Sequence, residues 1–360
     1  MILNRAIEAA RRAHLAPLFS RALSVEKTPL LVIPGMFGSR LIDARGAVVW
    51  GSTARLYFGP SIPEADARAD RVLDAITIVP ALAGYDCHGG LFRFLCAAGY
   101  RLGATLIPFA YDWRAGVEEA ARALGSAVDR VARDRVDLLA ISTGGQVARR
   151  FLVEHAPRVR RVVYLGAPQR GTFDALVSLH RGFRFAPAGK KFDGADAARC
   201  QTSLDALPHP DEPLFVDETS ERDVRCDLYD PYTWRALGLA RWPLDGGFAE
   251  RLSRARDLHR ALDGAPAHDA FVIGARHLPT PARALLVDGR ARLPPPRPRK
   301  NDRRAALVYR AGDGELPESS LRALPGLDEK RLQWVTPSRH NRLPSDLASQ
   351  RLVLEALLAS

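Results

Sequence analysis

Arg135-Val-Asp-Leu-Leu-Ala-Ile-Ser-Thr-Gly-Gly-Gln-Val-Ala-Arg-Arg150 is the stretch that decides the fold of this chain. Its first half, Val136 to Ile141, is a short and mostly Val, Leu and Ile run, which is typical of a strand buried on both faces. From Gln146 to His155 the pattern predicts a helix. Ser142 stands between them among small residues, so a buried strand turns sharply into a helix around a serine.

The turn has the pattern Ala-x-Ser-x-Gly, because Ala140 and Gly144 stand two positions on either side of Ser142. A serine on such a turn forms a nucleophile elbow, in which small neighbours allow the strained backbone to close. The helix N-terminus favours negative charge, so the N–H of Thr143 is a candidate donor to an oxyanion. The alternative is an ordinary strand–turn–helix with a capping serine, which five residues alone leave open.

Length and charge set the class of protein. The chain has 360 residues, which fits one large α/β domain with insertions, or two domains. Lysine and arginine number 52 against 41 acidic residues, a net charge of +11 that is spread along the chain. Nucleic acid and an anionic membrane surface are both conceivable partners of such a chain. Because we find no nucleic-acid motif, we expect a solvated, arginine-rich surface and no nucleic-acid partner.

The remaining composition predicts a cytoplasmic protein without a metal. No run approaches the ~18 apolar residues that a membrane span requires, and we expect no signal peptide because the N-terminus lacks an apolar core. Four cysteines occur without a CxxC pair or a spaced His/Cys set, so we expect free thiols, no metal and no cofactor: they are Cys87, Cys96, Cys200 and Cys226.

Apolar periodicity predicts an α/β fold with a mostly parallel central sheet and helices on both faces. Strands are expected at Leu30–Ile33, Ala104–Pro108, Val136–Ile141, Val159–Leu165, Ala270–Gly274, Ala305–Tyr309 and Arg331–Val335. Helices are expected at Gly89–Ala98, Gly116–Arg133, Gln146–His155, Phe248–Leu262 and Leu347–Leu358.

Four segments follow from this order of elements. Residues 1–27 form a basic, partly amphipathic helical segment, interrupted near Pro17, which we expect to dock on the catalytic domain rather than lie on a membrane interface. Residues 28–172 form the first part of the core, with an irregular, lid-like loop over 45–85. Residues 173–266 form an inserted cap, and residues 267–360 complete the core.

A serine nucleophile needs a base to take its proton and a carboxylate to hold that base. Asp313 and His340 follow the last two predicted strands, in the chain order serine, acid, histidine. Asp288 is the reserve acid. The loop after the first strand carries Pro34-Gly35, so the N–H of Met36 is the candidate second oxyanion donor, the alternative being a simple turn.

Five blocks of this chain resemble the lecithin:cholesterol acyltransferase-like branch of the α/β hydrolases, whose members are acyltransferases and phospholipases acting on lipid esters. The resemblance spans roughly residues 29–345. The blocks are Val32-Ile-Pro-Gly-Met-Phe-Gly-Ser-Arg-Leu41, Tyr111-Asp-Trp-Arg114, Ala140-Ile-Ser-Thr-Gly-Gly145, Leu165-Gly-Ala-Pro-Gln-Arg-Gly-Thr172 and Ala311-Gly-Asp-Gly-Glu-Leu-Pro317.

The resemblance implies an α/β-hydrolase fold and a substrate pocket that includes Phe37 and Trp113, although Trp113 could equally be core packing. Three positions depart from the family pattern. Ile141 stands where histidine is usual, Thr143 where methionine or leucine is usual, and Glu315 where threonine is common.

The sequence therefore predicts a serine-dependent acyl-ester hydrolase or O-acyltransferase, acting on lipid esters through Ser142, His340 and Asp313. The alternative is a catalytically degraded α/β-hydrolase fold that binds or recruits a partner. The choice between hydrolysis and transacylation, the acyl chain, the head group, the acceptor and the oligomeric state are left open by the sequence. A peripheral membrane contact is left open as well.

Overall fold

Strands and helices alternate through most of the chain. The computed structural model describes residues 15–58, 62–63, 66–79, 83–131, 134–185, 189–266 and 268–359. Its strands are β1 Leu30–Ile33, β2 Ser39–Ile42, β3 Val48–Trp50, β4 Arg68–Val72, β5 Ala75–Val79, β6 Ala83–Asp86, β7 Leu106–Pro108, β8 Val136–Ile141, β9 Val159–Leu165, β10 Phe215–Asp217, β11 Asp223–Val224, β12 Ala270–Gly274, β13 Leu278–Pro281, β14 Ala284–Val287, β15 Arg290–Arg292, β16 Tyr309–Gly312 and β17 Leu332–Trp334.

The helices surround these strands. They are α1 at 15–23, α2 Thr53–Phe58, α3 Gly89–Ala97, α4 Val117–Val131, α5 Gly144–His155, α6 Phe173–Arg181, α7 Gly194–Arg199, α8 Gln201–Asp205, α9 Pro231–Ala236, α10 Phe248–Asp263, α11 Ala305–Val308, α12 Glu318–Leu321 and α13 Leu347–Leu357. Short 3-10 helices cover Ala156–Arg158, Glu329–Arg331 and His340–Ser345.

Six strands form the central sheet, in the order β17-β12-β9-β8-β1-β7, and every neighbouring pair is parallel. The predicted parallel α/β fold is therefore confirmed. All four residues of β1 are fully buried, because alternate side chains of the strand pack into two different cores. Leu31 and Ile33 belong to a core with α4, α5 and α10. Leu30 and Val32 belong to a second core with α3 and α13.

The segment 45–85 is more regular than predicted. Strand β2 pairs with β3 and β4, and β5 pairs with β6, all antiparallel. The chain between β2 and β3 forms a tight turn rather than the predicted long loop, and the contacts of Asp43 explain why. Asp43 Oδ1 accepts the N–H groups of Arg45 and Ala47 at 2.9 and 2.8 Å, and Gly46 takes the positive φ that closes the hairpin.

The prediction of a strand at Ala305–Tyr309 was wrong. Residues Ala305–Val308 are helical, and the strand begins at Tyr309. The Asp302 side chain accepts the N–H of Arg304 at 3.0 Å and its carbonyl accepts that of Ala305 at 3.1 Å, which starts a helical turn there. Strand β16 then pairs antiparallel with β13, outside the central sheet.

Residues 173–266 lie between β9 and β12 of the central sheet and contain α6 to α10. Within this stretch β10 pairs in parallel with β14, which lies beyond residue 266. A four-stranded sheet in the order β11-β10-β14-β15 therefore joins the two sides of the predicted boundary. The division into a cap and a second core segment stays a prediction.

Helix α1 docks on the core in its described part. Leu15 and Ala22 are buried, and the ring of Phe19 lies 5.1 Å from that of Phe94 on α3. Arg21 donates to the carbonyl of Leu358 at 2.5 Å. Residues 1–14 of the predicted helical segment lie outside the described residues. No helix in the described ranges combines the length and apolar character needed to cross a membrane.

Candidate active site

The parallel sheet brings the predicted site residues to one edge. Met36 follows β1, Ser142 follows β8, and His340 follows β17. Because these strands are parallel, their carboxyl ends lie at the same edge of the sheet, where ligands bind in open α/β folds. Asp313 reaches the same place from the end of β16, in the separate two-stranded ribbon.

The backbone at Ser142 is strained, as a nucleophile elbow requires. Its φ is 51°, which is unusual for a residue with a side chain. The N–H of Ser142 donates to the carbonyl of Leu165 at 3.0 Å, which fixes the turn to β9. Gly35 approaches closely from the other side, and a Cβ there would lie 2.8 Å from the Ser142 Cβ. The glycine is needed because the loop after β1 passes directly beside the serine.

Ser142, His340 and Asp313 form a hydrogen-bonded chain. Ser142 Oγ lies 2.9 Å from His340 Nε2, and His340 Nδ1 lies 2.8 Å from Asp313 Oδ2. The Asp313 side chain is fully buried, and its Oδ1 accepts the N–H groups of Glu315 and Leu316 at 3.0 and 2.7 Å. These two bonds keep the second oxygen aimed at the imidazole. The three residues thus have the relative positions that a nucleophile, a base and an orienting acid require, and their catalytic roles stay a prediction.

The charges around His340 favour its protonated form. Burial opposes a charge on the imidazole, but the carboxylates of Asp313 and Glu315 outweigh burial and raise the pKa of His340 to about 10. Burial together with the nearby Glu315 raises the pKa of Asp174 to about 7, against the opposing effect of His340. Burial and Asp313 also raise the pKa of Glu315. In the described ranges, no cluster of three or more His, Cys, Asp or Glu is arranged to hold a metal ion.

One candidate oxyanion donor, Met36, contacts the side chain of the other, Thr143. The N–H of Met36 donates to Thr143 Oγ1 at 2.6 Å, so in this structure it is engaged by a hydroxyl of the residue after the nucleophile. Thr143 precedes α5, at the positive end of that helix. An oxyanion bound by Met36 would take the position that the Thr143 hydroxyl now fills.

The Tyr111-Asp-Trp-Arg114 block holds the loop that carries Met36. The Tyr111 hydroxyl donates to the carbonyl of Pro34 at 2.9 Å, and its N–H donates to Ser39 Oγ at 3.1 Å. The Trp113 indole donates to the carbonyl of Ser39 at 3.3 Å. The Arg114 guanidinium holds the segment at Pro63 by donating to its carbonyl at 2.9 Å. The block therefore holds both the loop that carries Met36 and the segment at Pro63.

Phe37 and Trp113 lie together in a cluster of six aromatic rings. Trp113 is fully buried, as the packing alternative predicts, and its ring lies 4.6 Å from that of Phe37. Phe37 has a φ of 67° and is half-buried. The other four rings are those of Trp50, Phe183, Phe185 and Phe192. The substrate-pocket role of Phe37 and Trp113 stays a prediction.

Helix α8 connects the residues after β9 to the elbow. The Gln146 amide on α5 donates to the carbonyl of Asp205 at 2.9 Å, and Asp205 Oδ2 accepts the N–H of Val117 at 2.8 Å. The Ser203 hydroxyl lies 3.9 Å from the sulfur of Met36. Residues of α8 thus lie over both the elbow helix and the oxyanion loop.

The sequence did not identify the acidic neighbours of His340. Glu315 was noted only as a departure from the family pattern, and Asp174 was not singled out. The signal for Glu315 was its place two residues after Asp313 in a tight loop. Asp288, the reserve acid, is exposed in the turn between β14 and β15 with a φ of 49°.

Comparison with known proteins bears on the same residues. A family model described as lecithin:cholesterol acyltransferase matches residues 42–192. That stretch includes the Tyr111–Arg114 block and the elbow, whereas Met36, Asp313 and His340 lie outside it. A search of curated proteins finds no match.

Solved structures that match this chain include a lipase and a carboxylesterase. A chain in the crystal structure of the Tle4–Tli4 complex is 13% identical, with a TM-score of 0.57 over 92% of this chain and 98% of that one. Bacillus licheniformis lipase BlEst2 in mature form is 13% identical, with a TM-score of 0.34 and coverage of 88% and 85%. Carboxylesterase CesB from Bacillus subtilis is 10% identical, with a TM-score of 0.31 and coverage of 96% and 97%.

The likeness to the Tle4–Tli4 chain shows the fold alone, because its identity is low. The family match supplies the link to acyl-ester hydrolases and acyltransferases. The match agrees with the resemblance predicted from the sequence: residues 42–192 are similar to the lecithin:cholesterol acyltransferase family, and the chain has the α/β-hydrolase fold.

Proposed function

We propose that the chain is a serine-dependent acyl-ester hydrolase or O-acyltransferase that acts on lipid esters through an acyl-enzyme. The observation that carries this proposal is the hydrogen-bonded chain from Ser142 through His340 to Asp313, with contacts of 2.9 and 2.8 Å. A serine within hydrogen-bond reach of a base, which is itself oriented by a buried acid, is the arrangement that activates a hydroxyl nucleophile.

Acylation uses the neutral imidazole of His340. Ser142 Oγ attacks the ester carbonyl while its proton passes to His340 Nε2, and Asp313 stabilises the imidazolium that forms. The carbonyl oxygen becomes an oxyanion, which accepts from the N–H groups of Met36 and Thr143. Losing one such donor costs roughly 3 kcal/mol of barrier. The intermediate collapses as Nε2 returns its proton to the leaving alcohol, which leaves an acyl-serine.

Deacylation repeats these steps with a second acceptor. His340 takes a proton from water or from an alcohol, and that oxygen attacks the acyl-serine carbonyl. Water releases a carboxylic acid, whereas an alcohol gives a new ester. The outcome depends on how well residues of the inserted cap, 173–266, exclude water from the acyl-enzyme.

The aromatic cluster supports a lipid acyl group as the substrate class. Phe37 directly follows the candidate oxyanion donor Met36, so the cluster lies next to the position that the reacting carbonyl would take. Phe183 and Phe192 lie between β9 and β12, and their ring centroids lie 5.4 and 5.5 Å from that of Phe37. Apolar rings at this position would bury a hydrocarbon chain once the acyl group is attached to Ser142.

Labelling with a fluorophosphonate probe tests the proposal. We expect the wild type and the matched control Ser319→Ala, an exposed serine, to be labelled, and Ser142→Ala to remain unlabelled. A screen of p-nitrophenyl esters and phospholipid vesicles would then define the substrate. Absence of labelling in folded wild-type protein at every pH from neutral to alkaline, with detergent present to open the cap, would exclude an activated serine. Equal labelling of Ser142→Ala would place the nucleophile elsewhere.

The alternative function is a non-catalytic binding protein. One observation favours it, because the N–H of Met36 is already engaged by Thr143 Oγ1 at 2.6 Å. If that bond cannot exchange for an oxyanion, the site binds no tetrahedral intermediate. The same labelling experiment decides between the two functions, since phosphonylation of Ser142 requires the oxyanion hole to accept a phosphonyl oxygen.

A further inference from the structure

The side chain of Glu315 lies beside the reacting nitrogen of His340. Its Oε2 is 3.7 Å from Nε2, the same nitrogen that lies 2.9 Å from Ser142 Oγ. The triad acid, Asp313, contacts the other nitrogen of the ring. Glu315 therefore places a second carboxylate on the side of the imidazole where protons are exchanged with the serine and the substrate.

The backbone of Glu315 is held from both sides. Its N–H donates to Asp313 Oδ1 at 3.0 Å, and its carbonyl accepts the hydroxyl of Thr172 at 2.8 Å. The same Thr172 oxygen accepts the N–H of Asp174 at 3.1 Å, at the start of α6. These bonds fix the position of the Glu315 Cα, so the backbone of the loop holds the carboxylate near His340.

The titratable groups near His340 and Glu315 belong to three elements. Asp313 and Glu315 belong to the loop after β16, Asp174 to α6, and Tyr85 to β6. Arg342, two residues beyond His340, acts on Tyr85 and is the nearby cation. Three carboxylates thus surround one imidazole, whose proton is held more tightly than in a triad with a single acid.

We propose that Glu315 is a positioning residue whose carboxylate, 3.7 Å from Nε2 of His340, stabilises the protonated imidazole and so moves the working range of the triad to higher pH. The inference rests on the proposed function, since it assumes that His340 is the base for Ser142. It assigns to Glu315 a role that the threonine common at this position in the family does not have.

The proton balance explains the effect. A protonated Nε2 has no lone pair, so it cannot accept the proton of Ser142. One proton must leave the imidazolium for solvent before Ser142 can transfer its own proton to Nε2. The negative charge of Glu315 resists that loss, and a neutral side chain at position 315 would allow it at lower pH.

The pH dependence of kcat/KM tests the proposal. We would measure ester hydrolysis between pH 6 and pH 11 for wild type, Glu315→Gln and Glu315→Thr, with Ser142→Ala as the blank for spontaneous hydrolysis. An opposite charge this close shifts a titration by about one to three pH units. The Glu315 side chain is 44% exposed, so solvent weakens its effect. We therefore expect the acid limb, the part of the profile where kcat/KM rises with pH, to lie about one pH unit lower in both variants than in wild type.

Two variants separate this effect from a structural one. Glu318→Gln makes the same change three residues later, where the carboxylate lies 3.2 Å from Arg276 instead of near His340, and should leave the limb in place. Glu315→Asp keeps the charge and should also keep the limb above that of Glu315→Gln. A fall in kcat/KM at every pH with an unmoved limb in Glu315→Gln would overturn the proposal.

An NMR titration of the His340 imidazole provides a readout that needs no turnover. We expect its midpoint to be lower in Glu315→Gln than in wild type. Equal midpoints would overturn the inference, while Ser142-dependent hydrolysis in the same samples would leave the proposed function intact. A lowered midpoint without Ser142-dependent labelling or hydrolysis at any pH would support the Glu315–His340 interaction and overturn the proposed function.

Discussion

Gly144 is the residue at which the fold and the chemistry can be tested with one methyl group. It stands two residues after Ser142, at the first position of α5, against the end of β1. A Cβ at this position would lie 2.4 Å from the carbonyl oxygen of Ile33 and 2.8 Å from that of Pro34. Both neighbours are backbone atoms, so no side chain can turn away to make room.

The magnitude follows from those distances. Ordinary contact begins near 3.4 Å, so Gly144→Ala requires α5 and the end of β1 to separate by about 1 Å. Overpacking of this kind costs about 1–3 kcal/mol of unfolding free energy. The displaced strand end leads into Met36, and a misplacement of 1 Å near the chemistry can lower a rate by about 10²-fold. We therefore expect loss of both stability and labelling rate.

Gly125→Ala is the matched control. It makes the same change in α4, where the nearest atoms, on His155 and Phe151, lie 3.7 Å away. Alanine should stabilise that helix by about 0.5–1 kcal/mol and leave the labelling rate unchanged. Urea unfolding and fluorophosphonate labelling of both variants provide the measurement. Equal unfolding midpoints and equal labelling rates in the two variants would refute the close approach of α5 to β1.

Three further outcomes are expected. Asp313→Asn should keep the fold and lower kcat by about 10⁴-fold, because the wrong tautomer is held, whereas Asp288→Asn should leave kcat unchanged; steady-state kinetics of both variants check this. Burial, with the nearby His209, lowers the pKa of His259 from 6.5 to about 3. Between these two values the unfolded chain binds a proton at His259 and the folded chain does not. The free energy of unfolding should therefore decrease as pH falls from about 6.5 to about 3. Urea midpoints across that range should fall more steeply for wild type than for His259→Gln, and parallel curves would contradict the sign. Asp205→Ala leaves the Val117 N–H unpaired and should lower the free energy of unfolding by about 1–3 kcal/mol, which chemical denaturation would measure against Asp211→Ala at an exposed site.

The central sheet was predictable because its strands are buried on both faces. Continuous apolar runs such as Val136–Ile141 and Val159–Leu165 have few alternative structures, and both strands have the predicted bounds. The parallel order of these strands then places the loops after them at one edge. That is why Ser142 and His340 come together although 198 positions separate them.

The ribbons at 45–85 and at 305–312 were not predictable in the same way. Their strands are three to five residues long and partly exposed. Their form depends on local turns, such as the one at Asp43, which apolar periodicity does not detect. Asp313 was nevertheless predicted to follow a strand, and it does, because β16 ends at Gly312 although it begins at Tyr309 and not at Ala305.

The contacts also show that the residues that match the family pattern and the residues that depart from it lie in different parts of the candidate site. The Tyr111–Arg114 block supports the oxyanion loop from behind, with Trp113 fully buried. Two of the departures, in contrast, contact candidate catalytic groups: Thr143 accepts the N–H of Met36, and Glu315 lies beside Nε2 of His340. Substitutions at these two positions can change the operating pH and the bound ester while the supporting block keeps the site assembled. Exchanging Thr143 and Glu315 for the usual family residues would therefore alter kcat/KM and its pH dependence more than it alters stability.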